Sequence, residues 1–338
     1  MSDRVAAPNR ASHAAREISL VQLSIVICSR NRAPLLTPML DALRQVRTER
    51  SWEVLLIDNA SNDDTRAILD SFAAEQPHAR AGTVAAIGLG AARDEAWRMA
   101  RGDIILFSDD DCYVAPDIVD ATLAAFAAHP DVGLLGGRIL LHDADDYPVT
   151  IDRRAEPEDI LPFRFAPPGT LQGANLAFRR STLEAIGGID PTFGAGTPFP
   201  CEDIDAVAAC LWAGIPGRFE PSVVVRHHHG RKAADCPALM RSYDKGRGAY
   251  YAKYLLRRDS RGAYLRGWLN GTFRNIHRGN LATLRRELVS AMRYLRMRRA
   301  YVFMAAAAPA AAATYLALLA CVVGNKAASL GRRSKARS

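Results

Sequence analysis

The chain alternates short apolar runs with segments whose apolar residues recur at helical spacing. Leu20 to Cys28 reads as a first strand buried on both faces. Ser29-Arg30-Asn31-Arg32 makes a turn, and Pro34 opens a helix to about Arg47 with Leu36, Met39, Leu40 and Leu43 on one side. Val54 to Ile57 forms a second strand ending in the acid-rich turn Asp58 to Asp64, which leads into a helix over 65–74. The pattern predicts a third short strand over Thr83 to Ile87 and a helix over 91–100. Ile104 to Phe107 is then an unbroken apolar strand that runs into Asp109-Asp110-Asp111. This alternation predicts an α/β fold, a doubly wound, mostly parallel sheet flanked by helices.

Three adjacent carboxylates at a strand end are the first chemical signal. In open α/β sheets ligands sit outside the carboxyl ends of strands. Adjacent acids raise one another's pKa unless a cation offsets them, and a hard divalent ion, Mg²⁺ or Mn²⁺, prefers oxygen ligands and shares them with phosphates. On extended chain Asp109 and Asp111 point one way and Asp110 the other. Later, Val223-Val224-Val225 leads into His227-His228-His229, where alternation puts His227 and His229 on one face. Either could ligate the same ion, and a run of three also suits zinc. A dinucleotide site is excluded: in Gly88-x-Gly90-x-x-Arg93 arginine replaces the third glycine, and the first strand ends without a glycine-rich turn.

Charge divides the chain unevenly. From Arg226 onward there are roughly 24 Lys/Arg against 4 acids, and before it roughly 20 against 32. That is no uniform nucleic-acid surface; it predicts a basic C-terminal region laid on something anionic, membrane or RNA, of which a membrane surface and no nucleic acid is the partner expected. The six cysteines lack CxxC spacing, which fits a reducing cytoplasm rather than a disulfide framework.

Ser24-Ile-Val-Ile-Cys-Ser-Arg-Asn-Arg, Leu56-Ile-Asp-Asn-Ala-Ser-Asn-Asp, Ala92-Arg-Asp and Phe107-Ser-Asp-Asp-Asp-Cys stand in an order and spacing that resembles family 2 glycosyltransferases of the GT-A fold. Gly173-Ala-Asn175, Gly187-Gly-Ile-Asp-Pro and Cys201-Glu202-Asp203 extend the resemblance, which spans about Leu20 to Tyr254. It implies a non-processive, inverting transferase of hexosyl type that uses a nucleotide-diphosphate sugar donor. Ser29, Arg30, Asp58, Arg93, Asp109, Asp110 and Asn175 would bind the donor. Asp109, Asp111, His227 and His229 would hold the divalent metal. Asp94 stands where the family more often has Asn. A carboxylate opening a helix is favoured as the anion, so Asp203 is expected to be the general base, with Glu202 orienting nearby. A sugar nucleotidyltransferase would need a glycine-rich triphosphate loop that is missing after the first strand, and a non-catalytic carbohydrate-binding protein would not need Asp203.

The organisation expected is a disordered tail at 1–18, the catalytic domain at 19–235 and a basic helical extension at 236–300. An apolar membrane-associating helix at 301–324 and a basic tail at 325–338 follow. Within the extension Tyr250, Tyr251 and Tyr254 give an aromatic face. Leu281, Leu284, Leu288, Met292 and Leu295 form an apolar stripe beside six arginines, the pattern of a membrane-surface helix. The stretch 301–323 is mostly alanine and broken by Pro309, leaving surface insertion, a single span or a soluble hairpin open. With no apolar secretory core before Ile18, the expected location is the cytoplasmic face of the plasma membrane, with a glycan or lipid-linked acceptor.

Overall fold

The structure, a computed structural model, describes residues 21–277, 280–301 and 303. The predicted terminal tails and the apolar stretch beyond Phe303 lie outside these residues. Seven apolar-rich residues form β1 (Leu23–Ser29), all buried. A short helix α1 (Thr37–Arg44) returns the chain to β2 (Trp52–Asp58), and α2 (Thr65–Glu75) leads to β3 (Ala79–Thr83). β3 ends where the sequence pattern expects it to begin, because Arg80 to Thr83 pair in register with Leu55 to Asp58. Next come α3 (Leu89–Met99), β4 (Ile104–Ser108), β5 (Cys112–Val114), α4 (Ile118–Ala128) and β6 (Leu134–Leu141). β7 (Glu158–Ile160), β8 (Asn175–Arg179), α5 (Arg180–Ile186), α6 (Glu202–Trp212) and β9 (Gly217–His227) complete the sheet.

The sheet order is β3-β2-β1-β4-β8-β6-β9-β5, with β7 paired to β9. The first four strands are parallel, as strand–helix alternation predicts. From β4 onward the sheet is mixed: β8 runs antiparallel to both β4 and β6, while β6 and β9 are parallel. Alternate residues of each central strand enter different cores. Ile25, Ile27, Leu56 and Leu106 face α1, α2 and α4, whereas Val26, Ile57, Ile105 and Phe107 face α3, α6 and the C-terminal helices.

Three C-terminal helices, α7 (Cys236–Leu256), α8 (Arg261–His277) and α9 (Leu281–Met297), join this second core. Tyr250, Tyr254 and Tyr264 are fully buried. Their hydroxyls are satisfied: Tyr250 and Tyr264 bond each other at 2.6 Å, and Tyr254 donates to the Asp205 carbonyl at 2.9 Å. Lys253 of α7 bonds Asp205 of α6 at 2.7 Å and Asp190 at 2.8 Å. The apolar stripe of α9 is turned inward, with Leu284, Ala291 and Leu295 buried. Gly248 allows the closest approach, since a side chain there would strike the Glu287 backbone. The face that sequence pattern assigns to lipid is therefore covered by protein, and α9 presents arginine to solvent. Among the described residues no helix is long and apolar enough to cross a membrane.

Candidate active site

One cleft of about 830 Å³ opens at the carboxyl ends of the parallel strands. Its walls include the turn after β1, Asp109 to Asp111 after β4, the segment 172–174 before β8, the start of α6, His227 at the end of β9, and Tyr243 and Arg247 of α7. Asp109 and Asp111 thus face the same cavity as Glu202 and Asp203.

The acids do not follow the alternation of an extended strand. β4 ends at Ser108, and the chain turns as the Cys112 N–H donates to the Asp109 carbonyl at 3.1 Å. Asp110 and Asp111 consequently share Arg32, at 3.0 and 3.2 Å. Asp109 turns to Arg93 at 2.7 Å. Burial pushes Asp109 upward against Arg93, and pushes Asp110 to about 7 against Arg32. Burial also works to raise Asp111, but the hydrogen bond and charge of His227, with Arg32, hold it below its ordinary range.

Arg93 is the hub of the cleft floor. Its buried guanidinium also donates to Glu202 at 3.1 Å and to the Gly173 carbonyl at 3.0 Å. Burial lifts Glu202 to about 7 despite Arg93, and neighbouring Asp203 adds to the rise. Asp203 lies at the second position of α6, where its carboxylate accepts from the Gly173 N–H at 3.0 Å and the Ile204 N–H at 2.7 Å. Those two bonds fix its orientation toward the cleft. The glycine pair at the start of α3 serves packing: a side chain at Gly90 would strike the carbonyl of Phe193, a residue of the loop opposite.

The three histidines turn to different partners. His227 Nε2 lies 3.2 Å from Asp111. Burial works to lower its pKa, yet Asp111 and Asp109 raise it overall. His228 Nδ1 meets the Tyr113 hydroxyl at 2.7 Å. His229 Nδ1 accepts from the Arg231 N–H at 3.0 Å, with Asp146 at 3.7 Å. Each candidate metal-binding group among the described residues contains one histidine, so the run does not gather around one ion.

Asp111, Cys112 and His227 bring potential donor atoms within 4.8 Å of one another. Burial pushes the Cys112 thiol well above its ordinary pKa, which leaves a hard carboxylate and an imidazole as the usable donors. That set fits Mn²⁺ or Mg²⁺ better than a thiolate-preferring ion.

Other expected donor residues sit differently. Asp58 is buried and accepts from the Ser61 N–H at 3.3 Å, while its neighbour Asn59 lines the cleft. Asn175 is expected at the donor sugar, but the structure buries its side chain in the sheet, donating to Arg138 and Val223 carbonyls at 3.0 Å. Gln172, Gly173 and Ala174 line the cleft there. Ser29 and Arg30 line it too, although Arg32 is the arginine of that turn which reaches the acids. Asp94 accepts from Trp97 at 3.1 Å and the Ile189 N–H at 2.8 Å, tying α3 to the turn after α5. Sequence reasoning passed over Arg32, Tyr243 and Arg247; an arginine two residues beyond Arg30 was the only local signal for the first.

Residues 24–187 match the family model described as glycosyl transferase family 2. An uncharacterized glycosyltransferase of Bacillus subtilis, YfnE, is 34% identical over 99 residues, covering 29% of this chain and 25% of that protein. A pre-mycofactocin glycosyltransferase of Mycobacterium tuberculosis is 25% identical over 63% of this chain and 44% of its own length. The chain thus spans less than half the length of either relative. Among solved structures, a Pyrobaculum calidifontis mannosyltransferase in complex with GDP-Man and Mn²⁺ overlays with a TM-score of 0.55 at 19% identity, covering 90% of this chain and 86% of that one. That likeness is one of fold. The mixed sheet with its flanking helices is a GT-A fold, and the stretch that matches glycosyl transferase family 2, residues 24–187, makes up just under half of the chain.

Proposed function

We propose that the chain is an inverting glycosyltransferase that moves a sugar from a nucleotide-diphosphate donor to a hydroxyl of a glycan or lipid-linked acceptor. The observation that carries this reading is a single cleft with Asp109 and Asp111 on one wall and Asp203 on another, joined through buried Arg93. Asp203 accepts the proton of the acceptor hydroxyl as its oxygen bonds the anomeric carbon. The bond from that carbon to the diphosphate breaks on the opposite side, and its electron pair leaves with the phosphate oxygen. Asp111 and His227, with Asp109 beside them, would hold the Mn²⁺ or Mg²⁺, which supplies Lewis-acid stabilisation of the diphosphate's charge. Arg93 positions Asp109 and Glu202, and so spaces the two walls. Arg32 keeps Asp110 and Asp111 facing the cleft.

Attachment to the cytoplasmic face of the plasma membrane through electrostatics is supported by the basic C-terminal third and the exposed arginines of α9. A panel of nucleotide-diphosphate sugars assayed for Mn²⁺-dependent hydrolysis tests the central reading. Turnover of one of them, abolished by EDTA, is expected; no turnover of any donor under any divalent ion contradicts it.

A further inference from the structure

A second concavity of about 280 Å³ lies between α7, α9 and the loop before α6. Four of its side chains are cations: Lys245, Arg285, Arg286 and Arg293. Arg286 bonds Asp244 at 2.6 Å. Among the described residues none of the other three side chains is paired with a carboxylate. The one acid of α9, Glu287, is buried and committed to Arg247 and Trp268 at 2.8 and 3.0 Å. Arg285 and Arg293 stand two turns apart on one helical face with exposed Val289 between them. A face that served only solubility would intersperse both signs of charge. This one keeps like charges together around a concave, partly apolar floor.

The concavity shares a wall with the catalytic cleft. Pro198 lines it, while Thr197 and Pro200 of the same loop line the cleft. Phe193 and Phe199 hold that loop against Tyr294 of α9, with ring centroids 5.6 and 5.7 Å away. Gly246 carries no side chain where α7 meets the Pro200 carbonyl. The loop is therefore a fixed ridge with the acids of the cleft on one side and uncompensated cations on the other.

We propose that this basic groove binds phosphate groups of an anionic acceptor chain whose terminal hydroxyl enters the cleft. Arginine forks suit phosphate oxygens, and Val289 offers a surface for the carbon units between them. The proposal rests on the transferase reading, but its test does not. Tripolyphosphate, in EDTA and about 0.15 M salt to suppress diffuse attraction, is titrated into wild type and into R285A/R293A by calorimetry. The double variant is expected to bind at least about tenfold more weakly, the worth of one charge-assisted contact. The control R266A, which removes an exposed arginine of α8, is expected to bind like wild type, and melting temperatures of all three should agree. Donor hydrolysis by R285A/R293A should equal that of wild type, so loss of hydrolysis in wild type itself indicts the transferase reading and leaves the groove standing. Equal tripolyphosphate binding by wild type and R285A/R293A overturns the proposal. So does a double variant that loses only its sedimentation with phosphatidylglycerol vesicles, which would assign the face to membrane.

Discussion

The guanidinium of Arg93, 3% exposed, donates to Asp109 at 2.7 Å. The same group reaches Glu202 at 3.1 Å, so one buried cation couples the strand-end acids to the helix that carries Asp203. Removing it would leave buried Glu202 and half-buried Asp109 without their shared partner. Arg93→Met is expected to destabilise the fold by roughly 3–5 kcal/mol, as breaking a buried pair does. Calorimetric melting checks this, and an unchanged melting temperature would deny Arg93 its central position.

His227→Ala should act on metal use rather than on folding. The imidazole is within reach of Asp111, and its loss takes a donor from the candidate set. The Mn²⁺ concentration needed for half-maximal donor turnover is expected to rise about tenfold or more, with the melting temperature of the metal-free protein little changed. His229→Ala, whose ring turns to Arg231 and Asp146, is expected to leave that titration near wild type.

Asp205 makes a stability prediction with a definite sign. Burial raises its pKa from 3.8 to about 6, with Lys253 opposing. A carboxyl whose folded pKa lies above its unfolded value holds a proton in the folded chain that the unfolded chain has lost. Relative to Asp205→Asn, wild type should therefore lose stability as pH rises from about 4 to about 6, and change no further above that. The drop is on the order of 3 kcal/mol. Denaturation of both proteins across this range gives the difference directly, and a gap that does not vary with pH would contradict it.

Gly248 tests the docking of the C-terminal helices. A methyl group there meets the Glu287 backbone, which cannot move aside as the end of a flexible side chain would. Gly248→Ala is expected to cost about 1–3 kcal/mol by forcing α7 and α9 apart, despite alanine's better helix propensity. A more stable variant would mean that the helices can separate freely.

Three strands of the parallel half, β1, β2 and β4, were legible because each is a short apolar run bounded by turn residues; β3, with Arg80 and Gly82 in it, was expected too late in the chain. β1 and β4 show the apolar run plainly: Leu23 to Ser29 and Ile104 to Ser108 are buried throughout. The antiparallel half was not legible, since β6 and β8 contain Gly136, Gly137 and Asn175, and their direction depends on partners distant in sequence. The acids Asp109, Asp111, Glu202 and Asp203 stand out in the sequence because carboxylates gather at element ends, and the fold lines one cleft with them. Asn175 misled because a buried amide bridging two carbonyls and an amide at a sugar look alike in sequence. The stripe on α9 misled for a similar reason: periodicity reports an apolar face but not whether protein or lipid covers it. Arg32 was missed because only folding brings Ser29–Arg32 beside the turn after β4.

Asp203→Asn decides the matter most directly, with transfer and donor binding measured on the same preparation. Removal of the base should lower the transfer rate by about 10²–10⁴-fold while Mn²⁺-dependent nucleotide-sugar binding stays within about twofold of wild type. Transfer at the wild-type rate by the variant would show that the proton leaves by another route and would remove Asp203 from the chemistry.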